Sequence, residues 1–398
     1  MLFTLEALNA EEGDCLLLQY GTAQAPSFIL LDGGPPRTYA RSLEPRLVAL
    51  REALGLRRQE SLPIRLAVIT HIDADHIAGM MDLVEALRES QTRRQAPLVS
   101  IEALWHNSFD DTLATRDVDQ ALAELQALLN EEEEAELRGF VAGTRQSREL
   151  RDLLRALKVE VNAPFPKLVL RPDDQTPTLD MGSGLRLTLL APTQSELGAF
   201  QKKWDQELKK AVASGAPGRV AALKRDTSVF NLSSICLLAE LGGKSMLLTG
   251  DAHSDELLTG LQVAGKLPED GSPCFVDVLK LQHHGSVRNV TPEFFERVVA
   301  DHYVISANGK HANPDVETLD MLAEARGDAK YTLHVTFPKA AWKDVTGESK
   351  ADHERREALR AIDAWLEKPG ARRPKRVYRQ RDSLGVTVSL GMDSLTAP

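Results

Sequence analysis

The stretch AVITHIDADHIAGM, residues 67–80, decides how this chain is read. Within it, His71, Asp73, Asp75 and His76 fall in a span of six residues. The apolar run Leu66–Ile69 precedes them, and a helical apolar pattern follows at Ile77, Met80, Met81, Leu83, Val84 and Leu87. The four ionisable groups therefore stand where a buried strand ends and a helix begins. A capping Asp accounts for one carboxylate, not for four polar groups packed so closely. Unpaired, they are costly to desolvate. A metal ion removes that cost, because it pairs the carboxylates and uses the imidazoles as neutral donors.

Two later stretches repeat the pattern. In SMLLTGDAHSDEL, Asp251 follows Gly250 at the end of an apolar strand, where it either projects from the strand tip or caps the next helix. In VLKLQHHGSVRN, the adjacent His283 and His284 lie just past another apolar strand. Neighbours on an extended strand point to opposite faces. One of the pair is thus expected as a direct ligand and the other behind it, unless a turn at Gly285 brings both in. All three signals sit at the carboxyl end of a strand, the edge where layered α/β folds gather ligands. The set His71, Asp73, Asp75, His76, Asp251 and His283 or His284 suffices for two ions, one carboxylate bridging them.

The rest of the chain sets the frame. It has 398 residues, 42% hydrophobic and 27% charged, which is ordinary globular composition near the upper limit for one domain. No apolar run reaches the ~18 residues of a membrane span, and the first residues lack the basic and small-residue marks of a signal peptide. Cys15, Cys236 and Cys274 form no close pair. The cytoplasm is the default location, with no membrane partner. A formal net charge of −10 argues against broad nonspecific nucleic-acid binding but leaves room for a local basic groove.

Alternating strands and helices are expected from Phe3 to Trp105. The Gly242-Gly243 pair predicts a hairpin between two strands. Strand–helix alternation then continues to a final pair of strands at 375–380 and 385–390. Between the halves, residues 107–225 read as a mainly helical insert. It includes the acidic run NEEEEAEL at 130–137, a solvated helix face. The expectation is one α/β domain over 1–398 carrying that insert.

The motifs together carry a family resemblance. THIDADHIAG resembles the HxHxDH metal motif of the metallo-β-lactamase superfamily, with Asp73 in place of the second His. With EEGDCLLLQYG, FILLDGG, NLSSICLLAELGGKSMLLTGD and LKLQHHGS, it is similar to the branch containing the nuclease-like domain of bacterial competence (DNA-uptake) proteins. Stand-alone hydrolases of antiviral gene clusters are also similar. The resemblance spans 1–106 and 226–390. It implies an αββα sandwich, a dinuclear centre between the sheets and hydrolysis by a metal-bridging hydroxide. By position, His71 and Asp73 would hold one ion, and Asp75, His76 and the late His the other. Asp251 would bridge, and Asp75, Asp251 and His311 would be catalytic. Asp32 would orient a ligand His, and Asp14 would support the site. A protein partner in a defence system is a further implication.

Two positions depart from the pattern. His106 stands where the wider superfamily has a further ligand, and is read as a ligand or as a supporting or substrate-facing residue. In SANGKHANPD, Asn313 precedes Pro314 and His311 lies upstream, either touching a phosphate or exposed on a loop. Ser286 and Lys280 are candidate phosphate contacts, although Lys280 alternates with apolar neighbours and could point to solvent. Trp105 reads as core. The carboxylate for imidazole exchange favours Mn²⁺ or Mg²⁺ relative to an all-His zinc site, with Zn²⁺ still admissible. Two ions roughly 3.5–4 Å apart suit phosphodiester hydrolysis. A small-molecule ester, nucleotide or thioester is the first rival substrate, and a non-catalytic partner protein is the second reading. The segment EKPGARRPKRVYRQRD, 367–382, concentrates Lys368, Arg372, Arg373, Lys375, Arg376, Arg379 and Arg381. It is either a solvated basic edge or, if it borders the site, a track for a nucleic-acid backbone.

Overall fold

The computed structural model describes residues 1–107, 146, 149–198, 231–368, 370, 372–380, 384–393 and 395. The acidic run at 130–137 and Arg381 lie outside them. The strands are β1 (Leu2–Leu8), β2 (Leu16–Gly21), β3 (Pro26–Leu31), β4 (Leu62–Ile69), β5 (Val99–His106), β6 (Glu160–Val161), β7 (Thr178–Asp180), β8 (Arg186–Ala191), β9 (Cys236–Leu241), β10 (Lys244–Leu248), β11 (Cys274–Lys280), β12 (Val298–Ile305), β13 (Thr332–Val335), β14 (Arg376–Arg379) and β15 (Gly385–Ser389). The helices are α1 (Glu44–Ala53), α2 (Ala74–Thr92), α3 (Ser254–Val263), α4 (Pro292–Arg297), α5 (Val316–Arg326) and α6 (Lys350–Glu367).

Two sheets form, in the orders β15-β1-β2-β3-β4-β5-β6 and β14-β13-β12-β11-β10-β9-β8-β7. The apolar strands are buried on both faces, and alternate residues serve different cores. Phe3, Leu5, Leu16, Leu18, Ile29, Leu31, Leu66 and Val68 pack between the sheets with Leu237, Met246, Leu248, Val278 and Val304. Leu17, Leu30, Ala67 and Ile69 turn instead toward α1, α2 and Leu150, Leu153 and Leu154. Leu247, Leu279, Tyr303 and Leu333 turn toward α3 to α6. The layers are therefore helix, sheet, sheet, helix: an α/β fold with the αββα arrangement expected from the sequence. Among the described residues no helix is long and apolar enough to cross a membrane.

The Gly242-Gly243 hairpin forms as read, both residues at positive φ (59° and 77°), joining β9 to β10. The last two strands do not pair with each other. Arg376–Arg379 extends the second sheet beside β13, and Gly385–Ser389 edges the first beside β1. The described residues of 107–225 do not stand apart either. β6 pairs with β5 in the first sheet, and β8 pairs with β9 in the second.

Strands β3, β4 and β5 run parallel, as do β10 to β14, so each set has its carboxyl tips on one edge. The turn after β3 is wedged against the first turns of α2. Gly33 N–H donates to His76 O at 2.8 Å and Gly79 N–H to Gly34 O at 2.9 Å. A Cβ on Gly79 would lie 1.9 Å from Gly33 O, a backbone atom that cannot swing away. Gly79→Ala should therefore destabilise the fold by about 1–3 kcal/mol, the usual range for overpacking. Urea denaturation of the metal-free protein checks it, and an unchanged midpoint would contradict the wedge.

Candidate metal centre

The strand tips converge on the carboxylate of Asp251, just past β10 and only 2% exposed. Around its Oδ2 stand His76 Nε2 at 3.4 Å, His283 Nε2 and His284 Nε2 at 3.7 Å, and His71 Nε2 at 3.8 Å. Asp73 Oδ2 lies 3.7 Å from His71 Nε2 on one flank, and Asp75 Oδ2 lies 3.6 Å from His284 Nε2 on the other. Among the described residues, one ligand atom each from Asp14, His76, Asp251 and His284 lies within 4.8 Å of all the others.

The hydrogen bonds behind the rings fix their tautomers. Thr70 N–H and Oγ1–H both donate to Asp32, each at 2.7 Å. With its proton spent there, Thr70 Oγ1 can only accept at 3.1 Å from His71 Nδ1, which must carry hydrogen. His76 Nδ1 donates to Asp32 Oδ2 at 2.9 Å, and His284 Nδ1 to Ser306 O at 2.9 Å. Asn289 spends its amide on Asp251 O at 2.7 Å, so its Oδ1 accepts from His283 Nδ1 at 2.6 Å. All four Nε2 atoms thus present lone pairs to a carboxylate oxygen. His71 Nε2, His76 Nε2, His284 Nε2 and Asp251 Oδ1 are buried without a hydrogen-bond partner. Neutral lone pairs facing one another repel; a divalent cation among them satisfies every orphan at once. The residues therefore fit a metal.

Without a cation the rings take up protons instead. Burial opposes a charge on His76, but Asp251, Asp32 and Asp75 outweigh it and raise its pKa well above the usual value. Burial likewise opposes charge on His284, and Asp251 and Asp14 raise its pKa. Burial works against the Asp251 carboxylate, yet His76, His283 and His284 hold its pKa well down.

Local backbone geometry aims these groups. Asp32 sits at φ 58°, and His283 and His284 at 44° and 56°, a region that side chains rarely adopt and functional sites tolerate. The two His residues themselves make the turn, so both face Asp251, where an extended strand would have sent one away. Asp73 is the N-cap residue of α2, with Asp75 in its first turn.

Other residues singled out in the sequence are placed differently. Lys280 does not point to solvent: its side chain is fully buried between the sheets and donates to Asp14 Oδ2 and, at 3.0 Å, to Leu281 O. Ser286 is also buried, its hydroxyl accepting from Arg288 N–H at 3.4 Å within the His283–Asn289 turn. His106 ends β5, buried, its backbone clasped by Asn162 at 2.7 and 2.9 Å. It is not among the four residues grouped above. His311 is exposed on the Lys310–Ala312 turn, near enough to feel Asp75 and His283. Trp105 is core, donating to Ala163 O at 2.8 Å. Thr70, Ser234, Asn231 and Asn289 also stand against the rings or the Asp251 backbone. Thr70 and Asn289 lie within a few residues of a metal motif and Asn231 and Ser234 do not, and nothing in a sequence says which neutral side chain will stand behind which ring.

The basic segment forms the edge of the second sheet. β14 runs parallel to β13, so Arg372, Arg373 and Arg376 enter at the edge opposite the strand tips that carry the site. Arg373 lies over the Trp365 ring at 4.0 Å, and Arg379 pairs with Asp363.

Residues 27–134 match the family model of the metallo-beta-lactamase superfamily. The two-sheet αββα layering described above agrees with the fold of that superfamily. Microtubule-associated protein 1A of Mus musculus is 30% identical over 108 residues, 27% of this chain and 4% of that protein. Its Rattus norvegicus counterpart is 30% identical over 132 residues, 33% of this chain and 5% of that protein. The matched stretches thus span a small fraction of those relatives. Among solved structures, Zn²⁺-bound PqqB from Methylobacterium extorquens overlays with a TM-score of 0.39 at 12% identity, covering 84% of this chain and 97% of that one. The metallo-beta-lactamase fold protein YhfI from Bacillus subtilis gives 0.34 at 10% identity, covering 98% and 99%.

A pH dependence follows from the raised imidazole pKa values. Above the ordinary value of 6.5, His76 and His284 stay protonated in the folded, metal-free protein. Their charged pairing contributes stability fully below that value and loses it as pH rises through the folded pKa. A metal must displace those protons. Divalent-ion affinity should therefore climb as pH rises above the ordinary imidazole value, with proton release on binding. Calorimetry in two buffers of different ionisation enthalpy measures both, and a flat affinity with no proton release would refute the assignment.

Proposed function

We propose that this chain is a metal-dependent hydrolase with a dinuclear centre, acting on phosphodiesters. The observation that carries the reading is the convergence of four imidazole Nε2 atoms on Asp251 Oδ2, with Asp73 and Asp75 on its flanks. His71 and Asp73 would hold one divalent ion, Asp75, His76 and His284 the other, with Asp251 between them and His283 completing the ring. Bound ions of this kind supply concentrated positive charge that activates water and stabilises developing negative charge. A donor set this rich in carboxylate suits Mn²⁺ or Mg²⁺ as well as Zn²⁺.

The protein's own groups supply orientation. Asp32 and Thr70 lock His71 and His76, Ser306 O locks His284, and Asn289 ties His283 to the Asp251 backbone. His311 stands exposed beside the centre, placed to meet a substrate oxygen or exchange a proton with the leaving group. The resemblance to competence-type nuclease domains supports a nucleic-acid phosphodiester, and the antiviral-cluster resemblance supports a defence partner. The position of Arg372, Arg373 and Arg376 favours a second reading, a small phosphoester or nucleotide held at the centre alone.

Metal-reconstituted protein should hold close to two Mn²⁺ or Zn²⁺ per chain by elemental analysis and cleave bis-p-nitrophenyl phosphate. Asp75→Asn and His76→Ala should each abolish turnover while leaving the circular dichroism unchanged. Hydrolysis of the reporter but of no single- or double-stranded DNA or RNA selects the small-substrate reading. A folded sample with no metal above background sinks the hydrolase proposal.

A further inference from the structure

Lys280 is fully buried, and its ion-pair partner Asp14 is 1% exposed. They come from opposite sheets, Lys280 from the tip of β11 and Asp14 from the loop joining β1 to β2. A buried ammonium is retained only when paired and hydrogen-bonded. Lys280 meets that need with Asp14 Oδ2 and Leu281 O.

Asp14 does not reciprocate fully. Its Oδ1 is buried without a hydrogen-bond partner, 3.7 Å from His284 Nδ1, which already donates to Ser306 O. A carboxylate serving only as counter-ion to a lysine would have both oxygens met by donors. A carboxylate oxygen of Asp14 also lies within 4.8 Å of a ligand atom of each of His76, Asp251 and His284. The loop is held firmly in that pose. Ser306 Oγ donates to Gly13 O at 2.6 Å, Asp14 N–H donates to Asp75 O at 3.3 Å, and a Cβ on Gly13 would sit 1.9 Å from Asp75 O.

Charge supplies the second argument. Asp14, Asp32, Asp73, Asp75 and Asp251 crowd one region. Among the described residues, Lys280 is the one Lys or Arg ion-paired to any of the five.

We propose that Lys280 is an internal cation of the metal centre. It holds Asp14 by one carboxylate oxygen so that the other faces the ions as an additional ligand. Lys280 is then a positioning residue, and Asp14 is the group it positions. The proposal rests on the dinuclear reading above.

The test compares wild type with Lys280→Met, Asp14→Asn and the double variant D14N/K280M, using Mn²⁺ alone as probe. Mn²⁺ affinity is measured by equilibrium dialysis, and melting temperature with and without Mn²⁺. The double variant buries no charge at the pair, so its metal-free form should melt close to wild type. It should nevertheless bind Mn²⁺ about 10–100-fold more weakly, the usual cost of disturbing groups that support a metal. Lys280→Met alone leaves Asp14 unpaired until a cation arrives, so Mn²⁺ should raise its melting temperature more than it raises that of wild type. Asp14→Asn alone leaves an uncompensated ammonium beside the ions and should bind Mn²⁺ most weakly. A double variant that binds Mn²⁺ as tightly as wild type overturns the proposal, leaving the pair a cross-link between sheets. So does Lys280→Met losing equal stability with and without Mn²⁺. Wild type that binds no Mn²⁺ overturns the dinuclear reading itself, an outcome seen without any variant.

Discussion

The convergence of imidazole lone pairs on the buried carboxylate of Asp251 is the constraint around which the molecule is arranged. Four Nε2 atoms stand 3.4–3.8 Å from one oxygen, and each ring has spent its other nitrogen on a fixed acceptor. Such an arrangement is repulsive unless protons or cations enter it. The hydrogen bonds behind the rings exclude the easy escape of turning a ring over. Asp32 accepts from Thr70 and His76, Ser306 O accepts from His284, and Asn289 is pinned by Asp251 O. The strain of left-handed backbone at Asp32, His283 and His284 is tolerated because the wedged turn and parallel strands over-determine those positions.

That constraint explains the fold's division of labour. Each sheet contributes part of the centre, the first through Asp14, Asp32 and the 71–76 turn, the second through Asp251 and the 283–284 turn. The parts meet because parallel strands end at one edge and apolar side chains hold the sheets face to face. Lys280 and Asp14 cross the same gap, so the one buried Lys–Asp contact at the centre also ties its halves together. The basic residues near the carboxyl terminus belong to a different task. Arg373 covers Trp365, and Arg379 neutralises Asp363, at a sheet edge where α6 needs closing rather than where chemistry is placed.

Much of this was legible in the amino-acid order. Apolar runs bounded by polar turns mark the strands, the Gly242-Gly243 turn marks its hairpin, and the clusters at 71–76, 251 and 283–284 mark side chains that the fold brings together. These are local signals, fixed by side-chain type and by spacing of a few residues. Sequence alone therefore determined the α/β class, the sandwich resemblance and which His and Asp residues to examine. Tertiary structure decided what depends on distance across the chain. It set both late His residues toward Asp251, because their own backbone turns. It buried Lys280 and Ser286, paired Asp14 with Lys280 beside His76, Asp251 and His284, and sent the last two strands to different sheets. It also set Arg372, Arg373 and Arg376 at the end of the sheet away from the strand tips that carry the site, since strand direction is set by pairing with β13. None of these follows from neighbours in sequence, because each is fixed by a partner far away in the chain, as Lys280 is by Asp14.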